Sequence, residues 1–173
     1  MDVHGRTDAA VLVPLFVADG ELHAVFTKRR EDLRRHAGEI SFPGGRQDDD
    51  DEDLRFTAFR EAEEEVGLPP HAVELLGALS PVGTFVTSYA VYPFVGMIDP
   101  GYAWTPSPDE VHSVLELPLR ELRDSHDRKR LVRRGVPFTT DVYTYDDSGD
   151  VIWGATARML ADLLDRLAPV LGD

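Results

Sequence analysis

Three glutamates in the middle of the chain are spaced so that they could bind a metal ion together. Glu61, Glu64 and Glu65 occupy positions i, i+3 and i+4. In a helix, residues at these spacings lie on one face. Three negative charges on one face repel one another, so the helix gains nothing from them unless a cation binds there. A hard divalent ion held by carboxylate oxygens is the natural candidate, and the spacing predicts such a site.

The residues around these glutamates extend the pattern in both directions. Residues 60–68 are Arg-Glu-Ala-Glu-Glu-Glu-Val-Gly-Leu, and Glu52 lies eight positions before Arg60. Together with Gly45 this resembles the Nudix box, G-x5-E-x7-R-E-U-x-E-E-x-G-U, in which U is aliphatic. The gap from Gly45 to Glu52 holds six residues where the general box has five, and Asp51 would restore the shorter spacing.

The Nudix resemblance implies a metal-dependent hydrolase with an α/β/α sandwich and a mixed sheet. Carried over position by position, it makes Glu61, Glu64 and Glu65 the metal ligands, with the carbonyl of Gly45 as a possible further oxygen. Glu61 and Glu65, one turn apart, are the strongest pair. The expected ion is Mg²⁺ or Mn²⁺, which would activate water and neutralise charge on phosphate oxygens.

Catalysis in such a site also needs groups that position the carboxylates and accept a proton. Arg60 is predicted to reach Glu64 at i+4 and fix its rotamer, and Glu52 is predicted to join the same network. A general base is expected from a distant loop, with Glu110 as the first candidate and Asp109 as the second. Alternatively, Glu110 and Asp109 are ordinary acidic residues at the start of a strand. The glutamate face could likewise be only an exposed, charged face of its helix.

A second resemblance narrows the substrate. Residues 27–45 match the spacing of the coenzyme A pyrophosphatase branch of the Nudix hydrolases, L-L-T-x-R-S-x3-R-x3-G-x3-F-P-G-G, with Arg30 in place of the serine. The resemblance extends over residues 22–165. It implies cleavage of coenzyme A or its thioesters, with Arg29, Arg34 and Gly44 contacting the substrate. Guanidinium groups suit phosphate oxygens.

Several alternatives remain open for these residues. The substrate could be another nucleoside diphosphate derivative, such as ADP-ribose, NADH or a dinucleoside polyphosphate, or the chain could bind a nucleotide without cleaving it. The basic residues of segment 28–36 could pair with the acidic run 48–53, which is also suited to a loop with a helix N-cap. Trp153 could stack on an adenine or belong to the core.

Composition excludes several classes of protein. The chain has 173 residues, 42% of them hydrophobic, which suits one domain over residues 1–173. It has no cysteine, so disulfides and thiolate zinc sites are excluded. A net charge of −14 argues against general nucleic-acid binding. The apolar run 9–18 is too short to span a membrane, so a cytoplasmic protein is expected. Nothing indicates a homo-oligomer.

Hydrophobic periodicity predicts the elements that must position the site. A helix over 53–66 would carry the glutamates, with Gly67 as its C-terminal cap. A hairpin with a turn at Asp19-Gly20 precedes it, and residues 29–51 are expected to form a long functional loop. The strands are predicted at 9–17, 21–28, 73–79, 89–98, 111–117, 138–145 and 151–153, and two further helices at 118–123 and 155–167.

Overall fold

The computed structural model describes residues 7–33, 38–84, 88–147 and 150–172. The helices are α1 (Leu54–Val66), α2 (Leu119–Asp124) and α3 (Gly154–Leu171). A single 3₁₀ turn covers Pro70–Ala72. The strands are β1 (Thr7–Ala18), β2 (Glu21–Arg29), β3 (Ile40–Ser41), β4 (Gly44–Arg46), β5 (Glu74–Ala78), β6 (Val82–Gly83), β7 (Tyr89–Met97), β8 (Val111–Pro118), β9 (Asp127–Arg133), β10 (Val136–Thr144) and β11 (Val151–Ile152).

Strand β1 lies at the centre of a mixed sheet. It pairs antiparallel with β2 and β4 and parallel with β7. Strand β8 extends the sheet beyond β2, and β5 extends it beyond β7. Strands β9, β10 and β11 form a separate three-stranded sheet. Residues 9–16 of β1 are all buried, as expected of a strand that is covered on both faces.

The two faces of β1 pack against different helices. Ala10, Leu12 and Phe16 belong to the core cluster that includes Ala58 and Ala62 of α1. Their neighbours along the strand belong to the cluster that includes α3; these are Ala9, Val11, Val13 and Leu15. Because side chains of a strand alternate between faces, one continuous apolar run serves both helix layers. The predicted α/β/α sandwich with a mixed sheet is confirmed.

The predicted helix that carries the glutamates is confirmed at both ends. The Asp53 side chain caps its start and accepts a hydrogen bond from the N–H of Phe56 at 2.8 Å. Gly67 ends the helix with φ of 75°, a left-handed conformation that favours glycine. Asp53, the last residue of the acidic run, is therefore the N-cap that the composition of this run suggested.

Three other sequence predictions needed correction. The loop predicted over 29–51 contains the short strands β3 and β4. Helix α3 ends four residues later than predicted, at Leu171, which is buried. Strand β9 was missed, because its sequence Asp-Arg-Lys-Arg-Leu-Val-Arg is mostly charged and exposed and carries no alternating apolar pattern. No helix in the described part of the chain is long and apolar enough to cross a membrane.

Candidate functional site

Glu65 is the most buried carboxylate on the glutamate face of α1. The residue is only 8% exposed, and its Oε2 accepts a hydrogen bond from the N–H of Gly44 at 3.2 Å. Burial and the negative charge of Glu61 raise the pKa of Glu65 to about 8. Burial makes the charged form of this carboxylate unfavourable. A bound cation would offset that unfavourable free energy.

Glu61 is the second inward carboxylate, and it lies against the backbone of β4. A Cβ atom placed on Gly45 would stand 2.6 Å from the Glu61 Cδ atom. Glycine at this position therefore lets the carboxylate approach the strand. Burial raises the pKa of Glu61 as well, although the nearby Arg60 guanidinium opposes the shift. The backbone of Gly45, predicted to contribute a carbonyl oxygen, thus lies beside one of the two inward carboxylates.

Arg60 joins the glutamate face to the loop before the helix. Its Nε and Nη2 atoms donate to the two oxygens of Asp51 at 2.8 and 2.9 Å. Its Nη1 atom donates to Glu61 Oε1 and Glu64 Oε2, both at 3.2 Å. The bidentate contact holds the pKa of Asp51 well below its usual range. The predicted contact of Arg60 with Glu64 is confirmed.

Asp51, not Glu52, is the buried acid of the acidic run that binds Arg60. The Asp51 side chain is 2% exposed, and its Oδ2 also accepts from the N–H of Asp48 at 2.9 Å and from Thr57 Oγ1 at 2.8 Å. Glu52, which the sequence predicted for this role, is exposed. Asp51 is the residue that stands at the shorter spacing of the general box. Composition alone does not distinguish Asp51 from its neighbours in a run of six acids, whereas the box spacing does.

The three predicted metal ligands are not equivalent. The Glu64 side chain is 59% exposed and bound to Arg60, whereas Glu61 and Glu65 point inward. Within the described ranges, no three acidic or histidine side chains already converge as a metal-binding group. Glu61 and Glu65 are therefore the inward pair of carboxylates, and Glu64 is the outward member of the set. The donor set fits Mg²⁺ or Mn²⁺, because both prefer hard oxygen ligands and a cation would relieve the repulsion between the two inward carboxylates.

Arg29 supplies positive charge beside these carboxylates. Its charge lowers the pKa of Glu65, against the larger effects of burial and Glu61. The Nε atom of Arg29 is buried and has no hydrogen-bond partner in the part of the chain that the structure describes. A buried donor without a partner is unusual, so Arg29 is ready to bind an acceptor. Arg34, the other predicted substrate arginine, lies outside the described residues.

Glu110 is brought to the same site by the loop that follows β7. Its negative charge raises the pKa of both Glu61 and Glu65. The loop is fastened to the end of α1 by two backbone hydrogen bonds, from Ser107 to the carbonyl of Glu65 at 2.7 Å and from Thr105 to the carbonyl of Val66 at 3.0 Å. Glu110 itself is exposed, so it remains accessible to water.

The basic segment does not use the acidic run as its partner among the described residues. Lys28 binds Asp150 at 2.8 Å, and Arg30 pairs with Asp32. Asp109 acts on this side too, because its charge contributes to the raised pKa of Arg30. Among the described residues, the arginine that pairs with the acidic run is Arg60, through Asp48 and Asp51.

The comparisons with known proteins settle the family. A model of the NUDIX domain matches residues 6–136, more than half of the chain. The chain belongs to the Nudix family. This Nudix chain is 40% identical over 167 residues to the protein described as "Uncharacterized Nudix hydrolase NudL" from Citrobacter koseri, covering 91% of this chain and 81% of the relative. The same values hold for a protein of that description from Salmonella newport.

Solved structures show the same fold at lower identity. The NUDIX domain of Shewanella oneidensis NrtR, complexed with ADP ribose, has a TM-score of 0.65 at 16% identity, covering 95% of this chain and 90% of that one. A C. elegans Ap4A hydrolase binary complex has a TM-score of 0.58 at 16% identity, covering 65% of this chain and 80% of that one. At this identity the likeness concerns the Nudix fold alone.

Gly44 and Trp153 are the remaining residues that the sequence singled out. Gly44, predicted to contact substrate, uses its N–H to hold Glu65. Trp153 is only half-buried and packs beside Phe138, with ring centroids 5.9 Å apart, rather than lying in the core. Asp51, which the sequence offered only as the residue at the shorter box spacing, is the acid that binds Arg60.

Gly45→Ala tests the close approach of Glu61 to β4. The added methyl group would meet the Glu61 carboxylate at 2.6 Å, so the carboxylate must move. We expect Mg²⁺ to bind about tenfold more weakly, as when the support of a metal ligand is lost. Gly77→Ala is the matched control, since nothing lies within 4 Å of its added Cβ. Isothermal titration with Mg²⁺ measures both; equal affinities for the two variants would contradict the assignment.

Proposed function

We propose that this Nudix chain is a divalent-metal-dependent hydrolase that cleaves the pyrophosphate of coenzyme A or its thioesters. The products would be 3′,5′-ADP and 4′-phosphopantetheine or its acyl form. The observation that carries the hydrolase assignment is the inward pair Glu61 and Glu65, both with raised pKa, beside the unpartnered donor of Arg29. The choice of coenzyme A is supported by the spacing of residues 27–45.

The metal would be held by Glu61 and Glu65, with Glu64 and the Gly45 carbonyl as further oxygens. When bound, Mg²⁺ or Mn²⁺ would lower the pKa of coordinated water and neutralise charge on the phosphates. Arg60 keeps Glu61 and Glu64 in place through the 3.2 Å contacts described above. Its pairing with Asp51 anchors this arrangement to the preceding loop.

The other groups act on substrate and water. Arg29 donates to a pyrophosphate oxygen, with Arg34 proposed as a further contact. Glu110 accepts the proton of the attacking water, since it is exposed and close enough to the inward glutamates to raise their pKa. Removal of the proton as the bond to phosphorus forms increases the nucleophilicity of the water.

A second candidate is hydrolysis of another nucleoside diphosphate derivative. The fold neighbours favour it, since one is an Ap4A hydrolase and another is a NUDIX domain complexed with ADP ribose. The carboxylate site would serve such a substrate equally, because it acts on the pyrophosphate and not on the groups attached to it.

Product analysis by mass spectrometry tests the proposal. The protein is incubated with coenzyme A, dephospho-coenzyme A, ADP-ribose or diadenosine tetraphosphate, with Mg²⁺ and with EDTA. Mg²⁺-dependent release of 3′,5′-ADP from coenzyme A, faster than release of products from the other compounds, is the expected result. Fast cleavage of ADP-ribose or of diadenosine tetraphosphate with no cleavage of coenzyme A would show that coenzyme A is not the substrate. Lack of turnover on all four would refute a hydrolase of these substrates.

Arg29→Ala tests the proposed contact with the pyrophosphate. We expect kcat/KM to fall by about 10²-fold, the usual size when one donor to a charged transition state is lost. The fold should survive, because the buried Nε makes no hydrogen bond within the described residues. Arg55→Ala, an exposed arginine of α1, is the matched control. Steady-state kinetics compare the two; an unchanged kcat/KM in Arg29→Ala would remove Arg29 from the site.

A further inference from the structure

A second concave surface lies on the other side of the sheet from the glutamate face. It is a cavity of about 660 Å³ between the β9–β10 hairpin and the start of α3, bordered by Glu39 and Ile40. Pockets for small ligands usually have this order of volume. Most of it is built from residues after 136, where the match to the NUDIX domain ends. The carboxylate chemistry does not use it.

One wall of the cavity is aromatic. Trp153 and Phe138 both line it, with ring centroids 5.9 Å apart and planes inclined by 48°. The guanidinium of Arg133 lies 5.1 Å from the centroid of the Trp153 ring, a cation–π contact. Aromatic and guanidinium planes together are the surfaces on which nucleic-acid bases stack.

The same cavity is positively charged in an acidic protein. Four arginines and two carboxylates line it, the carboxylates being Glu39 and Asp141. Among the described contacts of these groups, the ion pairs from Arg133 to Glu39 and from Arg128 to Asp141 are long, at 3.8 Å each. The excess of two positive charges matches a phosphate monoester, which carries between one and two negative charges at neutral pH.

The cavity also adjoins the carboxylate site through one backbone pair. Glu39 lines the cavity, and its carbonyl accepts the N–H of Arg29 at 2.9 Å. The side chain of Arg29 acts on Glu65, on the α1 side of the sheet. The cavity therefore borders the backbone of β2, the strand that carries Arg29.

We infer that this cavity binds the 3′-phosphoadenosine end of the substrate. The base stacks on the wall formed by Trp153 and Phe138, and the 3′-phosphate lies among the arginines of the hairpin, with Arg134 as the contact at the hairpin turn. This inference rests on the proposed function for the identity of the nucleotide. The aromatic wall and the charge excess exist independently of that function.

Fluorescence titration with 3′,5′-ADP in EDTA tests the base contact without turnover. The chain has two tryptophans, and only Trp153 lines the cavity. We expect 3′,5′-ADP to quench the emission of the wild type and of Trp104→Phe, but not that of Trp153→Phe. Quenching that persists in Trp153→Phe and disappears in Trp104→Phe would overturn the inference, as would the absence of binding to the wild type.

Charge reversal tests the phosphate contact. Arg134→Glu should weaken binding of 3′,5′-ADP by at least about tenfold, with a smaller effect on 5′-AMP, because a charge-assisted hydrogen bond is lost. Lys129→Glu is the matched control: it is exposed on the same hairpin and does not line the cavity. If both substitutions weaken the binding of 3′,5′-ADP equally, the effect is a general change in net charge. That result would contradict a phosphate contact at Arg134.

Kinetics separate this inference from the proposed function. If coenzyme A is cleaved, Arg134→Glu should lower kcat/KM for coenzyme A more than for dephospho-coenzyme A. Cleavage with no such difference would overturn the cavity assignment and leave the proposed function intact. Binding of 3′,5′-ADP that is lost in Arg134→Glu, with no cleavage of coenzyme A, would uphold the cavity and refute the proposed reaction.

Discussion

Glu65→Gln is expected to reduce turnover by about 10²–10³-fold, the size observed when one preorganised electrostatic contact to a transition state is removed. The amide oxygen can still accept the hydrogen bond that the N–H of Gly44 donates at 3.2 Å, but the negative charge for the metal is gone. Glu63→Gln is the matched control, because Glu63 is exposed on the same helix. Steady-state rates at saturating Mg²⁺ measure the effect, and turnover close to that of Glu63→Gln would refute Glu65 as a metal ligand.

Thermal unfolding of the metal-free protein tests whether Glu65→Gln is still folded. A carboxyl whose pKa is higher in the folded state makes that state less stable as pH rises between its unfolded and folded pKa values. For Glu65 this window extends from the ordinary value of 4.5 to about 8. Thermal unfolding in EDTA should therefore show that Glu65→Gln is at least as stable as the wild type at the upper end of the window. A large loss of stability there would indicate that lost turnover reflects unfolding.

Asp51→Asn is expected to destabilise the fold by about 3 kcal/mol, since breaking a buried ion pair leaves the partner charge uncompensated. The Asp51 side chain is 2% exposed and that of Arg60 is 20% exposed, so water cannot replace the lost carboxylate fully. Asp50→Asn is the matched control, an exposed acid of the same run. Urea unfolding measures both variants. Similar midpoints for the two would mean that the ion pair contributes little.

The pH dependence of the same contact has a definite sign. Because Arg60 holds the pKa of Asp51 below its ordinary value of 3.8, the stabilisation is present above that value and is lost as the pH falls below it. The wild type should therefore lose stability in acid more steeply than Asp51→Asn. If the two acid limbs coincide, Asp51 is not the group that titrates.

The sequence pattern was sufficient to predict features that depend on contacts between residues close together in the chain. Spacing along one helix placed Glu61, Glu64 and Glu65 on one face, and the Arg60–Glu64 contact at i+4 followed from the same geometry. The helix ends were also predictable, because Asp53 and Gly67 act through hydrogen bonds to residues within one turn. The unbroken apolar run of β1 is likewise typical of a buried strand, and the strand predicted at 9–17 is present.

Contacts between distant segments could not be predicted in this way. Asp51 is one of six consecutive acids, and its burial against Thr57 and Arg60 decides between it and Glu52. Trp153 precedes an amphipathic helix, which favours a core position, yet the β9–β10 hairpin leaves it at the wall of a cavity. Of the two strands of that hairpin, the sequence predicted β10 but not β9, because β9 has no alternating apolar pattern.

The sequence by itself determined the Nudix fold, the helix that carries the carboxylates and the set of oxygen ligands from which a metal site can be built. The tertiary structure decided which of those carboxylates are inward, which acid binds Arg60 and what lies on the opposite side of the sheet. The physical reason is that helix spacing is fixed by backbone geometry within one turn. Burial and charge pairing depend on which segments the folded chain packs together.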